Sequence, residues 1–279
     1  MTKLYTPKFS FGKWLFLFAG GFILYIFLYY FAMLPEFLME NKWLSSSLFS
    51  VAGVLLLMIY RWLSKAYEDR EVKELATDKA LKHTGIGFLW GVAFMGAVIA
   101  IFALCGWYKV EGFYFNAGWL FWFLISYFVV AAGEEIILRG IVFRLLYSQF
   151  NAWAAIAVSA SVFGILHIGN PNATLVGAVG ITVASGILFA LLFMYYKTLW
   201  VPIGMHWSWN FVQGTVFGCP VSGDDSGYSI IRSSSSGPEL FTGGAFGPEA
   251  SIITMVLGIA LSVWVVMRLY GNRNTRNDI

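Results

Sequence analysis

Charge is scarce in this chain of 279 residues, of which only 12% are Asp, Glu, Lys or Arg. A soluble globular domain carries roughly 25% charged residues. Here 59% of the residues are hydrophobic, and the mean hydropathy is +0.72. This composition excludes an ordinary soluble domain and indicates a protein that lies in a lipid bilayer.

Cysteine and histidine are also scarce, with two and three residues. We do not expect a bridge between Cys105 and Cys219, and no CxxC or Cys/His zinc spacing is present. No basic and aromatic surface suits a nucleic acid, and the net charge of +3 is better explained by attraction to anionic lipid of the inner leaflet. We therefore predict the lipid bilayer as a partner, and no nucleic acid.

Apolar runs long enough to cross a bilayer, roughly 17 to 25 residues each, recur about eight times. They predict an all-α membrane protein, a polytopic bundle of about eight transmembrane helices that forms a single domain over residues 1–279. The first run is too long for a removed signal peptide and lacks a small-residue cleavage site, so it predicts a retained helix. The predicted spans are Trp14–Met33, Leu44–Tyr60, Ile86–Trp107, Phe115–Ala132, Ala152–His167, Leu175–Tyr196, Leu199–Phe217 and Ile252–Met267.

The basic residues predict the orientation, because cytoplasmic loops are enriched in Lys and Arg. With both termini cytoplasmic, 15 of the 18 basic residues lie inside, Arg139 and Arg144 among them. The charged stretch 61–82 is then a solvated cytoplasmic helix, and the Gly-, Ser- and Pro-rich stretch 218–249 is an irregular outer loop. Pro248 and Glu249 look like the start of the last helix. We predict an integral protein of the cell (plasma) membrane.

Ionisable residues inside apolar runs indicate a functional site, because each is costly at membrane depth. In AAGEEIILRG the side chains of Glu134 and Glu135 diverge by about 100° on a helix, and Arg139 lies one turn beyond Glu135. We expect Glu135 and Arg139 to pair and to orient the site, which leaves Glu134 free to act as a general base. A second interpretation is that both acids only cap or bridge a helix end near the cytoplasmic face.

A second cluster is His167 in VFGILH, with Phe163 one helical turn before it as a pocket wall. If the chain reverses near Phe150, Glu134 and His167 both stand roughly 24 Å from the turn at 1.5 Å per residue. The stretch GNPN at 169–172 is then a re-entrant bend buried in protein. The alternative puts this bend outside and separates His167 from Glu134.

The third cluster is His206 and Asn210 in MHWSWN, one turn apart on the same helix face. His206 lies roughly 10 Å from the cytoplasmic turn near Leu199. All three clusters can therefore share one level, and we expect the site to open toward the cytoplasmic side.

The chain contains three motifs in order: GEExxxR at 133–139, FxxxH at 163–167 and HxxxN at 206–210. Together they resemble the CPBP family of intramembrane proteases. That family includes CAAX-prenyl endopeptidases and bacteriocin-processing or self-immunity proteins. The resemblance covers roughly residues 120–210, with a predicted catalytic core at about 115–217. It implies hydrolysis of a peptide bond in a membrane-embedded or membrane-associated substrate, prenylated or of leader type. It also implies that Glu134 and His167 activate water while His206 and Asn210 stabilise the oxyanion. Amide hydrolysis requires the same division between a base and oxyanion donors.

Other interpretations stay open. A non-catalytic scaffold or immunity protein would use the polar cluster only to hold helices together, and an ion-coupled transporter would use it as a relay, although no internal repeat supports that. Glu134, His167 and His206 could also hold a divalent metal such as zinc. Because HExxH spacing is absent and Asn210 suits an oxyanion donor better than a zinc ligand, we predict catalysis without a metal or other cofactor.

Overall fold

The computed structural model describes residues 8–225 and 227–274, and the chain ends on which the predicted cytoplasmic termini depend lie outside this part. The described elements, in chain order, are α1 (11–38), α2 (Lys42–Glu68), α3 (Ala80–Leu104), β1 (Tyr108–Phe113), α4 (Ala117–Gln149), α5 (Ala152–Leu166), α6 (Leu175–Tyr196), α7 (200–216), β2 (Ile231–Ser235), α8 (Glu239–Thr242) and α9 (Ile252–Asn274). Short 3₁₀ turns lie at Lys73–Leu75, His167–Gly169 and Pro248–Ala250. π-helical turns interrupt α1 at Phe16–Gly20, α4 at Ile136–Phe143, α6 at Ile181–Gly186 and α7 at Phe211–Val216.

Seven of the described helices are long and apolar enough to cross a bilayer, which confirms an integral, polytopic helical membrane protein. The eighth predicted span, Leu199–Phe217, forms α7 but is not among the seven. This helix is about 26 Å long at 1.5 Å per residue. It packs among α3, α4 and α6, and most of its side chains are buried. Because its neighbours are protein rather than lipid, α7 can carry the polar residues that make it less apolar than a lipid-facing span.

The helix α4 has 33 residues and extends far beyond the predicted span Phe115–Ala132. It ends at Phe150, whose backbone angles (φ −113°, ψ −110°) leave the helix. Asn151 then caps α5 by accepting a hydrogen bond from the Ala154 amide at 3.0 Å. The predicted reversal near Phe150 is confirmed, so α4 and α5 form a helical hairpin with Glu134 and His167 at matching distances from its turn.

Close packing of α7 against α3 sets the position of His206 and Asn210. A Cβ atom added at Gly204 would collide with the Thr84 carbonyl, and one added at Gly91 would collide with Ser208 Oγ. Glycines at such crossings let two helix backbones approach closely within a membrane. The segment of α7 that carries His206 and Asn210 is therefore packed between α3 and α4.

The central part of the charged stretch 61–82 is not a solvated helix, contrary to the prediction. After α2 ends at Glu68, the chain turns so that Arg70 donates to Glu68 at 2.9 Å and to Glu74 at 3.1 Å. Arg144 of α4 donates to both oxygens of Glu68, at 2.6 and 2.7 Å. These four side chains are buried, because each charge finds an opposite charge in the cluster. Arg144 is thus an internal link rather than a marker of the cytoplasmic surface.

A short two-stranded antiparallel ribbon accompanies the helices of the predicted all-α membrane fold. β1 follows α3, and β2 lies within the stretch predicted to be an irregular loop, paired from Tyr108↔Ser235 to Phe113↔Ile231. Residues 218–251, called the outer segment below, are thereby tied to the connection between α3 and α4 and fold back onto the helices. Cys105 and Cys219 are both free thiols, as expected.

The Tyr60 hydroxyl joins the buried ionic cluster to α4. It lies 2.6 Å from Glu74 Oε1 and 2.9 Å from the Gly140 carbonyl, and it accepts a hydrogen bond from Arg70 Nη2 at 3.0 Å. Tyr60→Phe should lower the free energy of unfolding by roughly 1.5–3 kcal/mol, the usual range for hydrogen bonds to charged groups. Thermal unfolding in detergent would measure the change, with Tyr67→Phe as a control because Tyr67 is half exposed. Equal midpoints for the two variants would contradict this role of Tyr60.

Candidate active site

Glu134 lies near the middle of α4, where its side chain is 22% exposed. Its Oε1 accepts a hydrogen bond from the Tyr29 hydroxyl at 3.1 Å, and its Oε2 lies 3.8 Å from His206 Nε2. The ring of Tyr29, which belongs to α1, covers Gly133, where an added Cβ would stand only 2.5 Å from the ring. Glycine before Glu134 therefore lets α1 approach and hold one carboxylate oxygen. The other oxygen has no hydrogen-bond partner among the described residues.

Glu135 and Arg139 form the ion pair expected from their spacing. Arg139 Nη1 lies 2.7 Å from Glu135 Oε1, and both side chains are fully buried. Arg139 Nη2 also donates to the Gly186 carbonyl in α6 at 2.8 Å. The same Glu135 oxygen lies 3.1 Å from His206 Nδ1 in α7. Because a carboxylate accepts, the Nδ1–H of His206 is the donor in this contact.

Phe163 lies between this ion pair and the two histidines. The Arg139 guanidinium is 5.1 Å from the ring centroid, within the range of a cation–π contact. The His167 ring meets Phe163 edge-on at 4.8 Å between centroids, and the His206 ring lies at 5.8 Å. Phe163 thus occupies the place of the predicted pocket wall and touches three of the polar residues at once.

His167 stands at the end of α5, where the 3₁₀ turn begins. Its Nδ1 lies 2.8 Å from the Phe163 carbonyl. Since a carbonyl only accepts, Nδ1 carries the proton, and Nε2 is the nitrogen left for other contacts. This backbone bond fixes the ring orientation that a proton-transferring histidine needs.

Two small cavities meet at Phe163 and His167, which border both. The first measures about 70 Å³, and its polar side chains are Tyr29, Tyr30, Glu134, His167 and Asn170. The second measures about 20 Å³, enough for one water molecule, and its polar side chains are His167, Ser185, His206, Asn210, Ser222 and Glu249. The structure therefore brings all four predicted catalytic residues, Glu134, His167, His206 and Asn210, to one pair of adjoining cavities.

The bend 169–172 bears on the alternative that placed it outside and separated His167 from Glu134. Asn170 and Asn172 donate side-chain hydrogen bonds to the carbonyls of Ser222 and Gly223, both at 3.1 Å. The bend therefore packs against the outer segment, with Gly169, Pro171 and Asn172 exposed rather than buried as a re-entrant bend requires, yet His167 and Glu134 border the same cavity. The physical reason is the length of α4, which places Glu134 near mid-helix rather than near a helix end.

Sequence reasoning missed several residues at these cavities, among them Tyr29, Ser222 and Glu249. Glu249 does precede the last helix, as predicted, but it is 4% exposed and accepts hydrogen bonds from Gln213 Nε2 and the Ser222 amide. The signal was present, because Glu249 is an acid within a Gly- and Pro-rich stretch. Tyr29 carried no signal that sets it apart from the other tyrosines of the chain.

The zinc alternative would require Glu134, His167 and His206 to converge on one ion. Among the described residues, no group of three His, Cys, Asp or Glu side chains is arranged to hold a metal ion. His206 uses Nδ1 for Glu135, and His167 uses Nδ1 for the Phe163 carbonyl, so Nε2 would be the ligand atom of either ring. Metal-free catalysis stays a prediction, and no step below depends on a metal.

Comparison with known proteins bears on the same helices. Residues 116–212 match the family of type II CAAX prenyl endopeptidase Rce1-like proteins. The matched stretch runs from the start of α4 into α7 and contains Glu134, Glu135, Arg139, Phe163, His167, His206 and Asn210. This stretch, about a third of the chain, is similar to the CPBP family of intramembrane proteases.

The chain is also similar to a Bacillus subtilis (strain 168) protein named "Putative membrane peptidase YdiL". The two are 37% identical over 87 residues, which make up 31% of this chain and 33% of the relative. The chain thus spans about a third of the length of the curated relative that it matches. No solved structure matches it.

Glu249 lies outside the spanning helices, and burial raises the pKa of its carboxyl from 4.5 to about 7. The folded protein therefore keeps a proton that the unfolded chain releases between these values. The contribution of Glu249 to stability should be greatest below about pH 4.5 and fall by about 3 kcal/mol as the pH rises through 7. Thermal midpoints in detergent across this range would show how stability changes with pH, and Glu249→Gln should weaken that dependence.

Glu239→Gln is the control, because Glu239 is an exposed acid of the outer segment, and it should leave the pH dependence unchanged. An unchanged pH dependence in Glu249→Gln would contradict the assignment.

Proposed function

We propose that this protein is an intramembrane endopeptidase that hydrolyses a peptide bond of a membrane-associated substrate. The observation that carries the proposal is the carboxylate of Glu134. One oxygen is held by Tyr29, the other has no hydrogen-bond partner among the described residues, and the cavity beside it also contains His167. A carboxylate fixed in this way can accept a proton from water while the water attacks a carbonyl carbon. His167 would share that proton transfer through Nε2.

His206 and Asn210 would stabilise the negative oxygen that forms during the attack. The side chain of Asn210 makes no hydrogen bond within the described part of the chain and borders the smaller cavity, so its amide is free to donate there. His206 already gives Nδ1–H to Glu135, so Nε2 can donate only when the ring carries both protons. The oxyanion role of His206 therefore requires the doubly protonated ring beside Glu134 and Glu135.

Glu135, Arg139 and Phe163 would orient these groups rather than take part in proton transfer. Glu135 fixes one nitrogen of His206, and Arg139 holds Glu135. Phe163 packs against both histidine rings. Together they fix the imidazole rings to within the small tolerance that catalysis allows.

For the substrate, we propose a membrane-embedded or membrane-associated peptide, prenylated or of leader type, cleaved in the plasma membrane on its cytoplasmic side. Support for the prenylated class comes from the description of the matching family. Detergent-solubilised protein should be tested on a peptide library made with and without a prenyl group, with Glu134→Ala beside the wild type. Cleavage of prenylated members alone would favour the first class. Equal inertness of wild type and variant would favour a non-catalytic scaffold or immunity protein.

Glu134→Gln should abolish turnover and leave a folded protein in the membrane. The amide keeps the shape of the side chain and can still accept from Tyr29, but it cannot take a proton from water. Peptide cleavage and thermal unfolding in detergent would be measured together, with Glu239→Gln as the matched control. Turnover close to that of the wild type would remove Glu134 from the role of base.

Asn210→Asp tests the oxyanion donor. Loss of one such donor usually costs 100- to 1,000-fold in turnover, about 2.7 to 4 kcal/mol, with little change in substrate binding. The aspartate is nearly isosteric but would repel the negative oxygen, so it should reduce kcat at least as much as Asn210→Ala. High activity of Asn210→Asp, measured as kcat and KM on the best library peptide, would instead favour a packing role for this helix face.

A further inference from the structure

The outer segment brings a buried carboxylate to the smaller cavity, and the mechanism above does not use it. Glu249 borders this cavity together with His206 and Asn210. Within the described residues no Lys or Arg forms an ion pair with Glu249. Its carboxyl group is therefore stabilised by hydrogen bonds alone, and a buried polar group needs well-directed partners.

The side chain of Gln213 determines which groups donate and which accept in these hydrogen bonds. It is fully buried on α7, about one turn beyond Asn210. Trp209 Nε1 lies 3.1 Å from Gln213 Oε1, and an indole N–H can only donate. The amide nitrogen of Gln213 must then point the other way, where it donates to the Pro220 carbonyl at 2.6 Å and to Glu249. Glu249 is therefore an acceptor in this arrangement.

A second donor reaches Glu249 from the outer segment itself. The backbone amide of Ser222 donates to Glu249 Oε1, while Gln213 donates to Oε2. One carboxylate thus connects the start of the outer segment, the start of α9 and the helix α7. Ser222 borders the smaller cavity as well, so this junction forms one of its walls.

The same network reaches the proposed oxyanion donors. Trp209, which donates to Gln213, meets Phe189 edge-on at 6.0 Å between ring centroids. Phe189 in turn lies 5.4 Å from the His206 ring. Asn210 follows Trp209 directly on α7, so a shift of Gln213 would move the turn that presents Asn210. With room for only one water molecule in the cavity, even a small shift changes the site.

We propose that Glu249 is a positioning residue of the active site, which holds the outer segment against α7 through Gln213 and Ser222 and keeps Asn210 directed into the smaller cavity. This inference rests on the proposed function, because it assigns a role in the same reaction. The outer segment is then a wall of the site rather than a connecting loop. Glu249 acts through Gln213 and makes no bond to the substrate.

Glu249→Gln is the first variant of the test, because it keeps the size of the side chain and turns one acceptor into a donor. With the library peptide that the wild type cleaves best, kcat should fall by about tenfold or more while KM stays within about twofold. Glu239→Gln, an exposed acid of the same segment, should leave both constants unchanged. A Glu249→Gln protein with the kcat of the wild type would overturn the positioning role.

The swapped pair, Glu249→Gln combined with Gln213→Glu, gives a rescue. The amide at 249 can then donate to the carboxylate at 213, and Trp209 and Ser222 keep their acceptors, so only the Pro220 carbonyl loses a partner. The swap should recover most of the lost kcat, which a merely structural defect at 249 would not do. Glu249→Asp, which keeps the carboxyl group on a shorter side chain, is the second comparison. The proposal would be overturned if neither the swap nor Glu249→Asp had a higher kcat than Glu249→Gln.

Hydrogen exchange of the backbone amides in 218–225 gives a readout that needs no substrate. Glu249→Gln should speed exchange there by about tenfold or more, and the swapped pair should restore protection. Unchanged exchange in a folded Glu249→Gln protein would overturn the anchor itself. A wild-type protein without peptidase activity would overturn the proposed function and the positioning role with it, while the exchange data would still decide whether Glu249 anchors the outer segment.

Discussion

The buried ion pair between Glu135 and Arg139 is the constraint on which the site depends. Both side chains are fully buried, and an isolated charge in that position costs several kcal/mol. The pair is tolerated only while α6 supplies the Gly186 carbonyl to Arg139 and α7 supplies His206 to Glu135. These contacts set the spacing of α4, α6 and α7, and therefore the distance between Glu134 and His206.

π-helical turns recur where these helices meet. One follows Glu135 directly, one ends at Gly186, and one follows Asn210 directly. A π turn disturbs the regular ladder of backbone hydrogen bonds, and such turns are frequent at functional sites. The Gly186 carbonyl accepts from Arg139, and the Gly140 carbonyl accepts from Arg144 Nε at 2.6 Å. Irregular helix geometry thus provides acceptors for two buried arginines.

The two most polar stretches of the chain both fold inward, although their composition is typical of solvated loops. The first, around Arg70 and Glu74, fastens α2 to the later part of α4 through Arg144. The second, the outer segment, places Glu249 against Gln213 of α7. In each case one partner is far away in sequence, Arg144 for the first stretch and Gln213 for the second. Their hydrophilic composition therefore predicted solvated loops, whereas in the structure both stretches support the helices of the site.

Local sequence was sufficient for the features that depend on spacing along one helix. Hydrophobic run length predicted the membrane helices, the i, i+4 rule predicted the pair Glu135 and Arg139, and equal distances from Phe150 predicted that Glu134 and His167 would meet. The motifs also identified the four residues that border the two cavities. These predictions hold because helix geometry converts sequence separation directly into distance.

Only the tertiary structure decided which distant groups complete the site. Tyr29 reaches Glu134 from a helix more than a hundred residues earlier, and Glu249 reaches α7 from 36 residues later. The β-ribbon and the interior position of α7 are likewise products of packing, since neither follows from local preference. The spacing of these residues along the chain does not predict their contacts, because contacts between separate elements depend on how those elements pack. The sequence by itself determined a helical membrane protein with a Glu, His and Asn cluster, whereas long-range packing determined which oxygen of Glu134 is held and how the outer segment encloses the smaller cavity.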